Sequence, residues 1–208
     1  MSAARPLLAL GVCAALAAAT GVAAAAPKAK PVCNLVSDAK GDGSVAGVAP
    51  NDGNLDLLSA DVASNGKVIT AVLRLASFSA QDAQAPFGRT YYMGFSAPGA
   101  ENQLYLSVGI DPVLGETYDF GDLQGNLYTS AGTATGSIDA AKGILTVTAP
   151  ADLGGLTTLK KGVKITDLEA KTTALVGVLG SGLVATADTA TGSSYTVGAP
   201  SCVVPGKG

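Results

Sequence analysis

The residues of this chain best suited to chemistry are oxygen donors gathered in one segment. Asp38, Asp42, Asn51, Asp52, Asn54 and Asp56 fall within a short stretch, and Gly41, Gly43 and Gly53 give its backbone the freedom to bring them together. Hard oxygen ligands suit calcium, whereas zinc takes Cys and His. Asp38, Asp42, Asp52 and Asp56 are therefore the candidate metal ligands, and calcium is the one cofactor the sequence suggests. The order is not that of an EF-hand loop, which needs fixed spacing and a terminal Glu. Surface turns use the same residue types, because Asp and Asn side chains bond their own backbone and Gly accepts positive φ. Both readings stand at this point.

The second candidate is aromatic. Tyr92 and Tyr105 fall on one outer sheet face by alternation, where they could stack against a sugar ring or simply pack across strands. Catalytic machinery is otherwise scarce. The chain has no histidine, which removes Ser-His-Asp and Cys-His nucleophile systems, His-ligated zinc and imidazole-ligated haem. It also lacks a Gly-x-Ser-x-Gly elbow, a Walker loop and a Gly-x-Gly-x-x-Gly turn after a strand. Paired carboxylates alone can hydrolyse glycosides, but Glu101, Glu116 and Glu169 sit in ordinary settings. No catalytic residue is assigned, and the expectation is a protein that is not an enzyme.

The elements that must position these residues begin with a hairpin. Residues 55–63 and 67–75 are joined through Asn65-Gly66, the strongest short hairpin signal, because a type I′ turn needs positive φ at both central positions. A two-residue loop would set Ser64 against Lys67, Val62 against Ile69, Ala60 against Ala71 and Leu58 against Leu73, all on the buried face. Continuing that register puts Asp56 on the apolar face opposite Leu75, where a carboxylate needs a partner or a cation, unless the strand begins only at Leu57. The second face, with Asp61, Thr70 and Arg74, suits solvent or partial cover.

Further along, Tyr91, Met93, Phe95 and Ala97 alternate with small or polar residues, as do Leu104, Leu106, Val108 and Ile110 after Pro98-Gly99. Short strands follow near 117–120, 126–129, 133–138, 144–148, 163–165, 174–178 and 195–197. Residues 79–88 and 153–162 read as connections with room for one helical turn, and 185–194 as loop. Short strands with Gly-rich turns and no amphipathic helix predict an all-β chain folded as a single antiparallel β-sandwich, jelly-roll-like in style.

The ends define compartment. Arg5, the apolar run from Pro6 to about Val22 and the Ala-rich stretch to Ala26 form a secretory signal, with cleavage after Ala24 or Ala26. This assigns 1–26 to the signal peptide, 27–32 to a flexible lead-in and 33–204 to the domain. Cys13 does not mark a lipoprotein, since Val12 stands where a small residue is needed. Cys33 and Cys202 remain near the two ends of the mature chain, a spacing that in an exported protein reads as one disulfide, against a reduced or intermolecular pair. The net charge is −3, one unit more negative once Arg5 leaves, and no basic run is present. Nucleic acid and anionic membranes are poor partners for such a chain. No second apolar run follows the signal, so no integral membrane segment is expected in the mature protein.

Asp38-Ala39-Lys40-Gly41-Asp42, then Leu55-Asp56-Leu57-Leu58-Ser59-Ala60-Asp61-Val62, a turn and an alternating strand resemble the opening of secreted bacterial β-sandwich domains. The chain is similar in style to the DOMON superfamily and family 9 carbohydrate-binding modules. Through to Tyr195-Thr196-Val197-Gly198-Ala199-Pro200-Ser201-Cys202 it also resembles exported actinobacterial proteins without an assigned activity. The resemblance implies sugar or haem binding and structural calcium near the first strands, with Asp38, Asp42 and Asp56 at matching positions. The tryptophans of sugar binders and the Met/His ligands of haem binders have no counterpart here. The sequence thus predicts a secreted, non-enzymatic module with a binding or structural role in the cell envelope or outside the cell, stabilised by calcium. The alternative is a carbohydrate-binding module for cell-wall or extracellular polysaccharide.

Overall fold

A computed structural model of the chain describes residues 29–45, 52–82, 85–125, 127–176 and 183–207. The signal segment and Asn51 lie outside the described residues. In chain order the strands are β1 (Val36–Ser37), β2 (Leu57–Ser64), β3 (Val68–Leu75), β4 (Arg89–Ser96), β5 (Gln103–Asp111), β6 (Gly115–Gln124), β7 (Leu127–Thr133), β8 (Thr135–Asp139), β9 (Ile144–Pro150), β10 (Lys164–Val176), β11 (Leu183–Thr191) and β12 (Tyr195–Thr196). A 3₁₀ turn at Leu153–Gly155 is the one helical element among the described residues. No helix of the described residues is long and apolar enough to cross a membrane.

The strands form two antiparallel sheets, a five-stranded one in the order β1-β2-β3-β9-β8 and a seven-stranded one in which β11-β10-β4-β5-β6-β7 run side by side and β12 pairs with β10. The expected all-β sandwich is what forms. Its core joins Ala60, Val62, Ile69, Ala71, Leu73, Leu145 and Val147 of the first sheet to Tyr91, Met93, Phe95, Leu104, Leu106 and Val108 of the second. Alternation is the cause: each strand presents every second residue inward, and those positions are the apolar ones. On one flank the chain steps directly from β7 to β8 through Ala134, so one continuous stretch serves both sheets. The opposite flank is closed where Val36 of β1 bridges Gly192 just after β11. Here too Cys33 and Cys202 are disulfide-bonded, with their Cα atoms 5.3 Å apart across 169 residues of sequence. Val32, within the expected lead-in, bridges Ser201 alongside.

Several sequence expectations change in detail. The first hairpin does not use a two-residue type I′ loop. Ser64 pairs with Ile69, Val62 with Ala71 and Ala60 with Leu73, a register displaced by two residues. The reason is the Asn65 side chain, whose Oδ1 accepts from the amides of Lys67 and Val68 at 2.9 and 3.1 Å and builds a wider Asx turn, with Gly66 alone at positive φ. An even displacement leaves every side chain on its predicted face. The register shifts again between Leu57 and Ser59, so Leu57 faces Leu75 and is fully buried, whereas Leu58, predicted core, is half-buried. Of the two readings for the second face, solvent or partial cover, cover is what forms. Asp61 and Thr70 are fully buried, Asp61 between the Leu35 amide and the Arg74 guanidinium, Thr70 beneath the Gly206 amide. Lys164–Val176, read as separate short pieces, form the long β10, positions 177 and 178 of the last piece lie outside the described residues, and residues 185–194, read as loop, contain most of β11.

Candidate metal centre

Three carboxylates from two distant parts of the chain meet on the closed flank. Asp38, Asp42 and Asp188 each offer an oxygen, and these oxygens lie within 4.8 Å of one another. Asp38 follows β1, anchored by its amide on the Leu58 carbonyl at 3.1 Å. Asp42 lies in the exposed loop beyond it. Asp188 lies on β11 opposite Thr172 of β10, at the bulge between Thr172 and Thr173, and its Oδ2 accepts the Leu57 amide at 2.8 Å. That bond carries β11 across to the first sheet.

Asp56 supplies a fourth carboxylate beneath the loop. It is 3 % exposed, and its Oδ2 accepts the Gly41 amide at 2.8 Å. Its Oδ1 is buried without a hydrogen-bond partner among the described residues, as is Oδ2 of Asp38. Gly43 permits this approach, because a Cβ there would lie 2.5 Å from the Asp56 Cα. The electrostatics follow from the crowding. Burial raises the Asp56 pKa, opposed by the Gly41 amide and by Lys40, with Asp42 and Asp38 adding to the rise. Burial also pushes Asp188 up to about 6 against the Leu57 amide, with the Asp38 and Asp42 carboxylates pushing the same way. Buried oxygens left without protons to accept, drawn from several chain segments, form a donor set of the kind hard divalent cations take.

Of the four predicted ligands, Asp38 and Asp42 thus meet in the cluster, and Asp56 lies close enough to feel their charge without entering the group of mutually close oxygens. Asp52 does not join them. Its Oδ1 accepts the Asn54 amide at 2.9 Å, and it interacts with Asp82, which together with burial raises its pKa. Asp82 bonds Arg89 at 3.0 Å and Asn54 Nδ2 at 3.1 Å, forming a buried structural network. Asp188 is the carboxylate of this cluster that sequence reasoning missed. Nothing in Ala187-Asp188-Thr189 signals chemistry, and only placing a strand there could have turned that carboxylate inward.

Tyr92 and Tyr105 do share the outer face of the seven-stranded sheet, but not as an open platform. Tyr128, from β7, stacks on Tyr92 with centroids 4.0 Å apart and meets Tyr105 edge-on at 5.2 Å. Tyr105 is only 4 % exposed and packs edge-on against Tyr92 at 5.7 Å. Lys171 donates to the Tyr128 hydroxyl at 3.1 Å and caps the group. Tyr92 also borders an open concavity of about 310 Å³ lined by Thr90, Gly109, Thr117 and Thr173. Compared with known proteins, the chain matches no protein-family model and no curated protein.

Proposed function

We propose that this chain is an exported, non-catalytic β-sandwich module with a binding or structural role outside the cell, held in shape by one calcium ion at Asp38, Asp42 and Asp188, with the buried Asp56 carboxylate beside it. The observation that carries the cation is Asp56: a carboxylate buried beneath the loop, with one oxygen unpartnered among the described residues and Asp38 and Asp42 close enough to raise its pKa. Burying such a group without compensation costs several kcal/mol, and a divalent ion offsets that cost for all four carboxylates together. The secretory pattern before Pro27 and the Cys33–Cys202 disulfide support export. Calorimetric titration of calcium into chelator-treated protein tests the cation. Heat of binding is expected, together with a rise in melting temperature worth about 2.7 kcal/mol at a hundredfold excess over Kd. Absence of both disproves the site.

Polysaccharide binding is the second reading, supported by the Tyr92 ring edging a concavity lined by threonine hydroxyls. Tyr105 supports that ring from behind. Polysaccharide pull-down with wild type and Tyr92→Ala decides it: wild type binds and the variant does not. Failure of the wild type to bind removes the reading.

A further inference from the structure

The carboxylates are spread over three segments, which the Gly41 amide on Asp56 and the Leu57 amide on Asp188 already join at single points. Residues 38–45 form a strap laid across the gap between the lead-in to β2 and the edge strand β11. Among the described residues its backbone attachments include Asp38 N to Leu58 O at 3.1 Å, Ser44 N to Ala187 O at 2.9 Å and Gly43 O to Asp52 N at 3.0 Å, with Val45 in a β-bridge at its far end. Beneath it lies a second apolar cluster, separate from the main core, made of Val45, Leu55, Ala85, Ala174 and Ala187. One valine, one leucine and three alanines, with Val176 and Ala185 partly buried against them, bury far less apolar surface than the main core, and Val45 is the strap's one side chain in the cluster. Against it stands the mutual repulsion of Asp38, Asp42, Asp56 and Asp188 in a poorly solvated site, relieved in part by Lys40.

We infer that the bound cation is a latch: it fastens the 38–45 strap to the start of β2 and to β11 and closes the second apolar cluster. Withdrawal of calcium then opens this flank while the main core stays folded. This rests on the cation reading above and adds a regulatory consequence. A module built this way is complete only where calcium is plentiful, and in its absence it exposes Val45, Leu55, Ala174 and Ala187 to proteases or to partners. The Cys33–Cys202 bond keeps the strap's near end in place, which makes the opening local and reversible.

Hydrogen exchange on the full disulfide-bonded chain, in calcium and in chelator with calorimetry in parallel, tests the latch. The amides of Gly41, Ser44 and Leu57, bonded to Asp56, Ala187 and Asp188, are expected to exchange at least about tenfold faster in chelator, while those of Met93, Leu106 and Val108 hold within about twofold. Asp42→Asn, an isosteric change at an exposed position, gives the opposite signs in one molecule. It weakens calcium binding, yet slows exchange of the strap in chelator by removing one repelling charge. Calcium heat without any change at the strap overturns the latch and leaves the cation site standing. A uniform change across the chain also overturns it, because the ion then supports the whole fold. No heat overturns both.

Discussion

Asp188 shows how one side chain can be both a fastener and a source of strain. Its Oδ2 holds the Leu57 amide, yet burial and the neighbouring Asp38 and Asp42 raise its pKa to about 6. The sign for stability follows. In metal-free protein the folded state binds this proton more tightly than the unfolded state, whose pKa is about 3.9. Between those values the native state holds more protons, so stability rises as pH falls from neutral through 6 and levels off below about 4. Asp56 acts in the same direction. The exposed Asp111 and Asp139, both held low by hydrogen bonds, oppose this only at still lower pH. In chelator, the melting temperature of wild type should therefore rise between pH 7 and pH 5. Asp188→Asn should flatten that slope and lie above wild type at pH 7, since the amide still accepts from Leu57 without adding charge. A wild-type profile that stays level or falls contradicts the assignment.

At the scale of elements, the closed flank depends on how near β1 comes to β11. Gly192 is the point of contact: a Cβ there would lie 2.2 Å from the Leu35 carbonyl oxygen and 2.6 Å from Cγ2 of Val36. Gly192→Ala must push β1 away from its bridge, at a cost of about 1–3 kcal/mol by analogy with overpacked cores. A urea midpoint lowered with unchanged slope is the expected result, and a midpoint equal to wild type contradicts the close approach. The same elements show what was legible in the sequence. Strand faces were, because period-two alternation survives any even change of register, so Ala60, Val62, Ile69, Ala71 and Leu73 are core despite the displaced pairing. Register was not, because it turns on whether the Asn65 side chain or its backbone makes the turn. The acidic segment was legible through the local density of Asp and Gly, which brought Asp38, Asp42 and Asp56 into view. Asp188 was not, since its role comes from a bulged strand packing beside β10, a long-range outcome that Ala-, Thr- and Gly-rich sequence does not announce. Asp52 sits in the same segment, but its carboxylate accepts the Asn54 amide beside the buried Asp82–Arg89 pair, an arrangement across sequence of the same kind.

At the scale of the whole molecule, two fasteners act on one flank. The disulfide joins the chain at Cys33, five residues before Asp38, to Cys202 beside the Val32–Ser201 bridge. Closing a loop of 169 residues removes unfolded-state entropy worth about 5 kcal/mol in the chain-entropy model. The cation, on the reading above, restrains the same segment from its far side through Asp38 and Asp42. Restraints on one segment do not contribute independently: once the near end is freed, ordering the strap around the ion costs more entropy, and calcium binds less tightly. The paired variant Cys33→Ser with Cys202→Ser is therefore expected to unfold at markedly lower urea than wild type and also to bind calcium several-fold more weakly. Chelation should then lower its midpoint by less than it lowers that of the disulfide-bonded protein. Equal chelator-induced shifts in the two proteins, measured at the same free calcium, would show that the disulfide and the carboxylates act on separate parts of the fold.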